Sequence, residues 1–162
     1  MRSRITATAA LLIGLAATCL PTAARADENR VLKCKIGKAR SQGRYHGPAL
    51  VANVPKAMTP IDLEAVQMTD KAVTKAVIVE AMMARRTETN TLQVMTRLVN
   101  CTKNDIQVEA RSSFMDADQM PTEPVSIWKR VFIPALSTGI YSESSIGRDK
   151  VATYFVEVRS AQ

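Results

Sequence analysis

Histidine is almost absent from this sequence, since His46 is the only one among 162 residues. A catalytic Ser-His-Asp or Cys-His arrangement would have to use His46, and no Gly-x-Ser-x-Gly motif accompanies it. The three cysteines form no Cys-x-x-Cys motif, and neither a His-Glu-x-x-His motif nor a glycine-rich phosphate-binding loop occurs. These absences argue against an enzyme, a metal site and a bound cofactor.

The N-terminus has the pattern of a cleavable export signal. Arg2 and Arg4 precede a stretch without charge, Ile5–Leu20, and Ala24–Ala26 has the small-x-small pattern that signal peptidase requires. The apolar stretch is short for a membrane span. The sequence therefore predicts a signal peptide over residues 1–26 and a periplasmic protein.

Cys19 offers a second processing route. It follows Leu15-Ala16-Ala17-Thr18, which resembles the cleavage box of bacterial lipoproteins. Lipidation at Cys19 would anchor the protein to a membrane, with the outer membrane as the expected location. Cleavage after Ala26 and lipidation at Cys19 remain open alternatives.

Positive charge is concentrated in the segment that follows the signal. Removal of 26 of the 162 residues leaves 136, and residues 27–58 hold seven basic residues against Asp27 and Glu28. We interpret 27–58 as a flexible basic lead-in whose apolar patch, Ala49–Ala52, favours one short strand. Its cations would be attracted to anionic lipid or peptidoglycan, and six of them are the candidate binding residues: Arg30, Lys33, Lys35, Lys38, Arg40 and Arg44. Export and the lack of aromatic residues between the cations argue against nucleic acid.

Two cysteines, Cys34 and Cys101, remain after cleavage at Ala26. An oxidising periplasm would allow a disulfide between them, which would clip the basic lead-in onto the following domain. The alternative is a pair of unpaired thiols.

Residues 59–162 show the alternation of apolar and polar residues that half-buried strands require. Leu92–Val99 and Ile106–Met115 alternate on either side of a turn cluster, which predicts an antiparallel hairpin. Further strands are predicted at four places: Ile61–Ala65, Trp128–Ile133, Ile140–Ser144 and Thr153–Arg159. The segment Val77–Ala84 is ambiguous between a strand and a helix over Asp70–Arg86 capped by Asp70. Short strands separated by turn residues predict an all-β, Ig-like antiparallel sandwich.

The order of several residues resembles the YcfL-like family of small bacterial envelope proteins. The resemblance depends on Asn100-Cys101-Thr102, Glu109-Ala110-Arg111, Phe114, Asp116 and Trp128. It implies a sandwich fold, an envelope location, a strand rather than a helix at Val77–Arg86, and structural roles for Asn100, Arg111, Phe114, Asp116 and Trp128. The family has a glycine in the turn after the Asp, where this chain has Gln119.

The same residues can be given individual roles from their chemistry. We expect Trp128 to lie in the core against Phe114 or Phe132, with an exposed recognition residue as the alternative. We expect Arg111 to be solvated, with pairing to a carboxylate across the sheet as the alternative. We expect Asn100, Thr102 and Asp116 to bond to the backbone of their own turns. With no catalytic constellation, the sequence favours a non-catalytic interaction module with an envelope protein as its partner. The alternative is a module held on anionic lipid or peptidoglycan by its basic segment.

Overall fold

The computed structural model describes residues 34, 37, 47–51, 56–148 and 150–162. These ranges contain nine strands, a 3₁₀ turn (Leu63–Ala65) and one turn of α-helix, α1 (Val73–Ala76). The strands are β1 (Ala49–Leu50), β2 (Thr59–Ile61), β3 (Val66–Met68), β4 (Val77–Arg86), β5 (Leu92–Asn100), β6 (Ile106–Met115), β7 (Lys129–Ile133), β8 (Thr138–Ser144) and β9 (Thr153–Ser160). No helix within these ranges has the length and hydrophobicity of a bilayer span. The predicted signal peptide and Cys19 lie outside the described residues.

The strands form two sheets, which confirms the predicted all-β sandwich. One sheet has the order β1-β9-β6-β7, with β3 also beside β9, and the other has the order β2-β4-β5-β8. All pairs are antiparallel except β3 with β9. Strands β4, β5 and β8 correspond to immunoglobulin strands A, B and E, and β6, β7 and β9 correspond to C, C′ and F of the variable type. In this chain β1 and β3 occupy the place beside β9 that the last immunoglobulin strand normally takes.

Alternate residues of the strands fill the space between the sheets. In β5 the side chains of Leu92, Val94 and Leu98 are fully buried, and in β9 those of Tyr154 and Val156 are. Successive strand residues point to opposite faces, so their neighbours in sequence face away from the core. Burial of each large apolar side chain contributes about 1.5–3 kcal/mol, which makes this alternation the main determinant of the fold.

The predicted hairpin between Leu92–Val99 and Ile106–Met115 is wrong in its pairing, although both strands form. Strand β5 pairs with β4 and β8, whereas β6 pairs with β7 and β9. The turn cluster therefore carries the chain from one sheet to the other, across the roughly 10 Å that separates packed sheets. The hairpins are β4–β5 and β6–β7.

The ambiguous segment Val77–Arg86 is a strand, as the family resemblance implies. The helix is limited to α1, and β4 begins at the β-branched residues Val77-Ile78-Val79. Strand formation buries Val77, Met82 and Ala84 in the core. The prediction of a continuous strand over Ile61–Ala65 is wrong, because β2 ends at Ile61 and the 3₁₀ turn follows.

The apolar patch of the basic lead-in provides the short strand expected there. Ala49 pairs with Tyr154 and Leu50 with Thr153, so β1 belongs to the five-stranded sheet.

Candidate functional site: the outer face of the five-stranded sheet

Two Glu-x-Arg motifs face each other on adjacent strands of the five-stranded sheet. Strand β6 carries Glu109 and Arg111, and β9 carries Glu157 and Arg159. The strands are antiparallel, with Glu109 opposite Arg159 and Arg111 opposite Glu157. The residues between them, Ala110 and Val158, are buried in the core, so the four charged side chains lie on the outer face.

The side chains form ion pairs with hydrogen-bond geometry. Arg111 donates from Nε to Glu157 Oε2 at 2.6 Å and from Nη2 to Oε1 at 3.2 Å. Arg159 donates from Nε to Glu109 Oε2 at 2.9 Å, and Arg130 of β7 donates from Nε to Glu109 Oε1 at 3.3 Å. The bond from Arg159 is the main reason why the pKa of Glu109 lies below its usual range. Arg111 is therefore paired across the sheet, and the expectation that it is solvated is wrong.

Trp128 lies on this charged face, not in the core. The side chain is half-buried, and the guanidinium carbons of Arg111 and Arg159 lie 4.4 Å and 4.0 Å from its ring centroid. These distances are within the range of cation–π attraction. The prediction that Trp128 packs in the core is therefore wrong, because two arginines on the outer face shield its ring.

Two exposed residues of β7 extend the face toward the edge of the sheet. Phe132 is 55 % exposed, and the side chain of Arg130 is 62 % exposed. Phe132 therefore does not provide the core contact predicted for it. We call the set Arg111, Trp128, Arg130, Phe132 and Arg159 the Arg–Trp face. It combines cations held by carboxylates with aromatic surface that solvent can reach.

Asn100 has the turn role predicted for it. Its side chain is fully buried, and Nδ2 lies within hydrogen-bond distance of the carbonyls of Asn104, Ile133 and Pro134 at 2.7, 3.1 and 3.0 Å. Its Oδ1 accepts bonds from the backbone N–H and the hydroxyl of Thr102, both at 2.8 Å. One amide thus ties the crossover after β5 to the end of β7.

Asp116 also bonds to its own turn, as predicted. Its Oδ1 accepts the N–H groups of Asp118 at 3.0 Å and Met120 at 2.9 Å. Gln119, in the place where the resembling family has glycine, has φ of 62°. The turn therefore keeps a left-handed residue without the glycine that adopts this conformation most readily. Phe114 is buried between the sheets.

Cys34 and Cys101 form a disulfide with a Cα–Cα distance of 5.5 Å, so the pairing that the sequence left open is present. The disulfide connects the predicted lead-in to the residue that follows β5. The six cations proposed for anionic surfaces, from Arg30 to Arg44, and His46 lie outside the described residues.

The other polar features of the described residues provide fewer groups that could bind a ligand or take part in catalysis. A cleft of about 440 Å³ lies between β1 and the segment from Pro60 to Ala65, and its ionisable lining residues are Asp62 and Glu64. No group of three or more His, Cys, Asp or Glu side chains comes together within the described ranges. Burial raises the pKa of the Tyr141 and Tyr154 phenols above their usual, already alkaline value.

The Arg–Trp face was missed as a unit, although the sequence contains a signal for it. When two Glu-x-Arg motifs lie directly opposite each other on neighbouring antiparallel strands, each carboxylate faces a guanidinium of the other strand. The sequence prediction uses the motif Glu109-Ala110-Arg111 but takes Glu157-Val158-Arg159 only as part of an alternating strand. The face also depends on the pairing of β6 with β9. The alternation of apolar and polar residues along each strand does not reveal which strands pair.

Two solved structures are similar to this chain. One is a DUF1425 family member from Shewanella sp. pv-4, with 15 % identity, a TM-score of 0.47, and coverage of 72 % of this chain and 98 % of that chain. The other is Campylobacter jejuni cj0090, with 13 % identity, a TM-score of 0.46, and coverage of 60 % of this chain and 98 % of that chain. No protein-family model and no curated protein matches the sequence.

Proposed function

We propose that this chain is an exported, non-catalytic module of the bacterial cell envelope that binds a protein partner through its Arg–Trp face. The observation that carries the proposal is the half-buried Trp128 ring with the guanidiniums of Arg111 and Arg159 at 4.4 and 4.0 Å. Tryptophan and arginine are the residues that most often dominate the binding energy of protein interfaces.

The ion pairs favour binding because they fix the arginines before a partner arrives. Glu157 holds Arg111 at two points, and Glu109 holds both Arg159 and Arg130. Side chains that are already ordered lose less conformational entropy on association. Phe132 adds exposed apolar surface beside them. The face therefore suits a partner that presents apolar surface together with carboxylates.

A pull-down from intact envelopes, followed by mass spectrometry, tests the proposal. The variants Phe132→Ser and Arg130→Gln change exposed residues of the face. Both should leave the fold intact, because Arg159 still pairs with Glu109. We expect both to lose a partner that the unchanged protein retains. Leu50→Ser is the matched control, because Leu50 is 76 % exposed on the strand at the opposite edge of the same sheet. Recovery of the same partner by all three variants would refute this surface.

The basic segment supports a second proposal, in which its cations attach the module to anionic lipid or peptidoglycan. The seven basic residues of 27–58 motivate it. Deletion of this segment would also remove Cys34 and β1, so replacement of Lys35, Lys38, Arg40 and Arg44 by Gln is the sharper test. Loss of sacculus or vesicle binding in this variant, with a steep salt dependence in the unchanged protein, would support attachment, because exposed charges are screened within about 10 Å at 0.1 M salt.

A further inference from the structure

Sandwich proteins protect the edges of their sheets, and most edges of this chain are protected. Strands at the edges normally avoid pairing with other chains by being short or by carrying proline or lysine. Strand β1 has two residues, β3 has three, and β2 has three with Pro60 at its centre. Strand β7 carries the exposed cations Lys129 and Arg130. Each of these four strands is therefore protected against pairing with another chain in one of the usual ways.

Strand β8 is the exception. It is seven residues long and pairs with β5, and no other described strand pairs with it. It contains no proline and no lysine. Its one charged residue, Glu143, points inward, which is itself a protective device, but Lys129 neutralises this charge in an ion pair at 2.9 Å. The side chains on its outer face are uncharged: Thr138, Ile140, Ser142 and Ser144. With its single charge neutralised, β8 is the least protected edge strand among the described residues.

The hydrogen bonds beside β5 show which backbone groups of β8 face outward. Ser145 N–H donates to Leu92 O, and Asn100 N–H donates to Ser137 O. Because bonded pairs alternate along an antiparallel ladder, the odd-numbered residues of β8 bond to β5. The N–H and C=O groups of Ile140 and Ser142 therefore point away from β5, toward the free edge.

An exposed apolar side chain lies beside this edge. Ile140 is 56 % exposed on the outer face. On the inner face Tyr141 is buried and reaches across the core, where its Oη lies within 3.0 Å of the Ser112 hydroxyl of β6. A strand added to β8 would therefore cover apolar surface on its outer face.

We infer that β8 pairs with β8 of a second copy of this chain, antiparallel about a two-fold axis at Tyr141. This register places Ile140 opposite Ser142 of the copy, so their outward backbone groups meet as bonded pairs. It also places Thr138 opposite Ser144, whose N–H would exchange its present bond to Glu143 Oε1 for the carbonyl of the copy. Glu143 lies opposite Gly139, so no like charges face each other across the strands. The two Ile140 side chains become diagonal neighbours. The outward hydrogen-bonding groups of β8 are thus complementary to those of a second copy, and its single charge meets no like charge, as a two-fold interface requires.

The oligomeric state of the purified protein tests the inference. Sedimentation velocity over a range of concentrations should show a dimer that dissociates on dilution with a Kd in the micromolar range, as expected for a small interface. Ile140→Lys should raise the Kd about tenfold or more, because it brings two cations together across the axis. Leu50→Lys is the matched control, with the same charge change at an exposed leucine on the opposite side of the sandwich, and should leave the Kd unchanged.

Hydrogen exchange gives a second measurement that needs no variant. The amides of Ile140 and Ser142 should become more protected as the concentration of the unchanged protein rises, while exposed loop amides should not. A protein that is monomeric at every concentration, or a dimer that Ile140→Lys leaves intact, would overturn the inference and leave the edge for a strand of another protein. The inference is independent of the Arg–Trp face, which belongs to the other sheet.

Discussion

Arg111 and Glu157 form a two-point ion pair across β6 and β9, with Nε to Oε2 at 2.6 Å and Nη2 to Oε1 at 3.2 Å. The side chains are 31 % and 15 % exposed, so solvent screens the pair only in part. We expect Arg111→Gln and Glu157→Gln to show a coupling free energy of about 1 kcal/mol in a double-mutant cycle. Urea unfolding of the two single variants and the double variant measures it. Strictly additive effects would contradict a direct interaction.

Asn100 should be among the residues least tolerant of substitution. Asn100→Asp keeps the size of the side chain but replaces the donor Nδ2 by oxygen, which then faces the carbonyls of Asn104, Ile133 and Pro134. We expect a loss of about 3 kcal/mol or more in the free energy of unfolding, because buried acceptors lose their partner. Asn104→Asp is the control, since Asn104 is exposed and contributes its backbone carbonyl to this network. Equal effects of the two substitutions would contradict the role of the Asn100 amide.

Replacement of Gln119 by glycine should stabilise the fold. At φ of 62° a side chain with a Cβ is less favourable than glycine. The larger entropy of glycine in the unfolded chain offsets part of the gain. We therefore expect Gln119→Gly to raise the free energy of unfolding by up to about 1 kcal/mol, and Gln119→Ala to leave it nearly unchanged. Thermal and urea unfolding of both variants measure these effects. A glycine variant that is less stable than the unchanged protein would contradict the backbone argument.

Asp70 should make stability depend on acid pH. Partial burial acts to raise its pKa, but hydrogen bonds from the Ser160 and Val73 backbone N–H groups and the Ser160 hydroxyl outweigh burial and hold the pKa below its usual value. The carboxylate therefore stabilises the fold above the pKa of the unfolded chain, and this contribution is lost as pH falls through the lower, folded pKa. We expect Asp70→Asn to cost about 1 kcal/mol at neutral pH, an amount discounted for partial exposure. The difference from the unchanged protein should shrink near pH 2 in urea unfolding, and a constant difference would contradict the linkage.

The disulfide between Cys34 and Cys101 closes a loop of 67 residues. Restriction of the unfolded chain by a loop of this length is worth about 4 kcal/mol. We expect a Cys34→Ser, Cys101→Ser variant to lose this amount in urea unfolding, and reduction of the unchanged protein to have the same effect. Reducing agent should leave the double variant unaffected. Equal stability of the oxidised and reduced protein would contradict the predicted contribution.

The strands could be predicted from the sequence because burial on one face forces alternation. Leu92–Val99 and Thr153–Arg159 lie within one residue of the observed bounds of β5 and β9. Pairing could not be predicted in the same way. The residues of β5 and β6 alternate alike whether the strands are neighbours in one sheet or lie in opposite sheets, and the buried Asn100 amide supports the crossover. The position of Trp128 could not be predicted for a related reason, since a large aromatic residue can be shielded from water either inside a core or, in part, by two arginines on an outer face.

Strand β9 is the last of the described strands, yet it lies inside its sheet, with β1 and β3 on one side and β6 on the other. Strands β1 and β3 cannot join the β6–β7 hairpin in one sheet until β9 comes between them. Folding must therefore bring together segments that are far apart in sequence, and contacts at such separations form slowly, on a scale of about milliseconds to seconds. Until then only β6 and β7 are available to cover the inner side of the four-stranded sheet. The time before β9 closes its sheet is the period in which this protein is most exposed to aggregation and proteolysis.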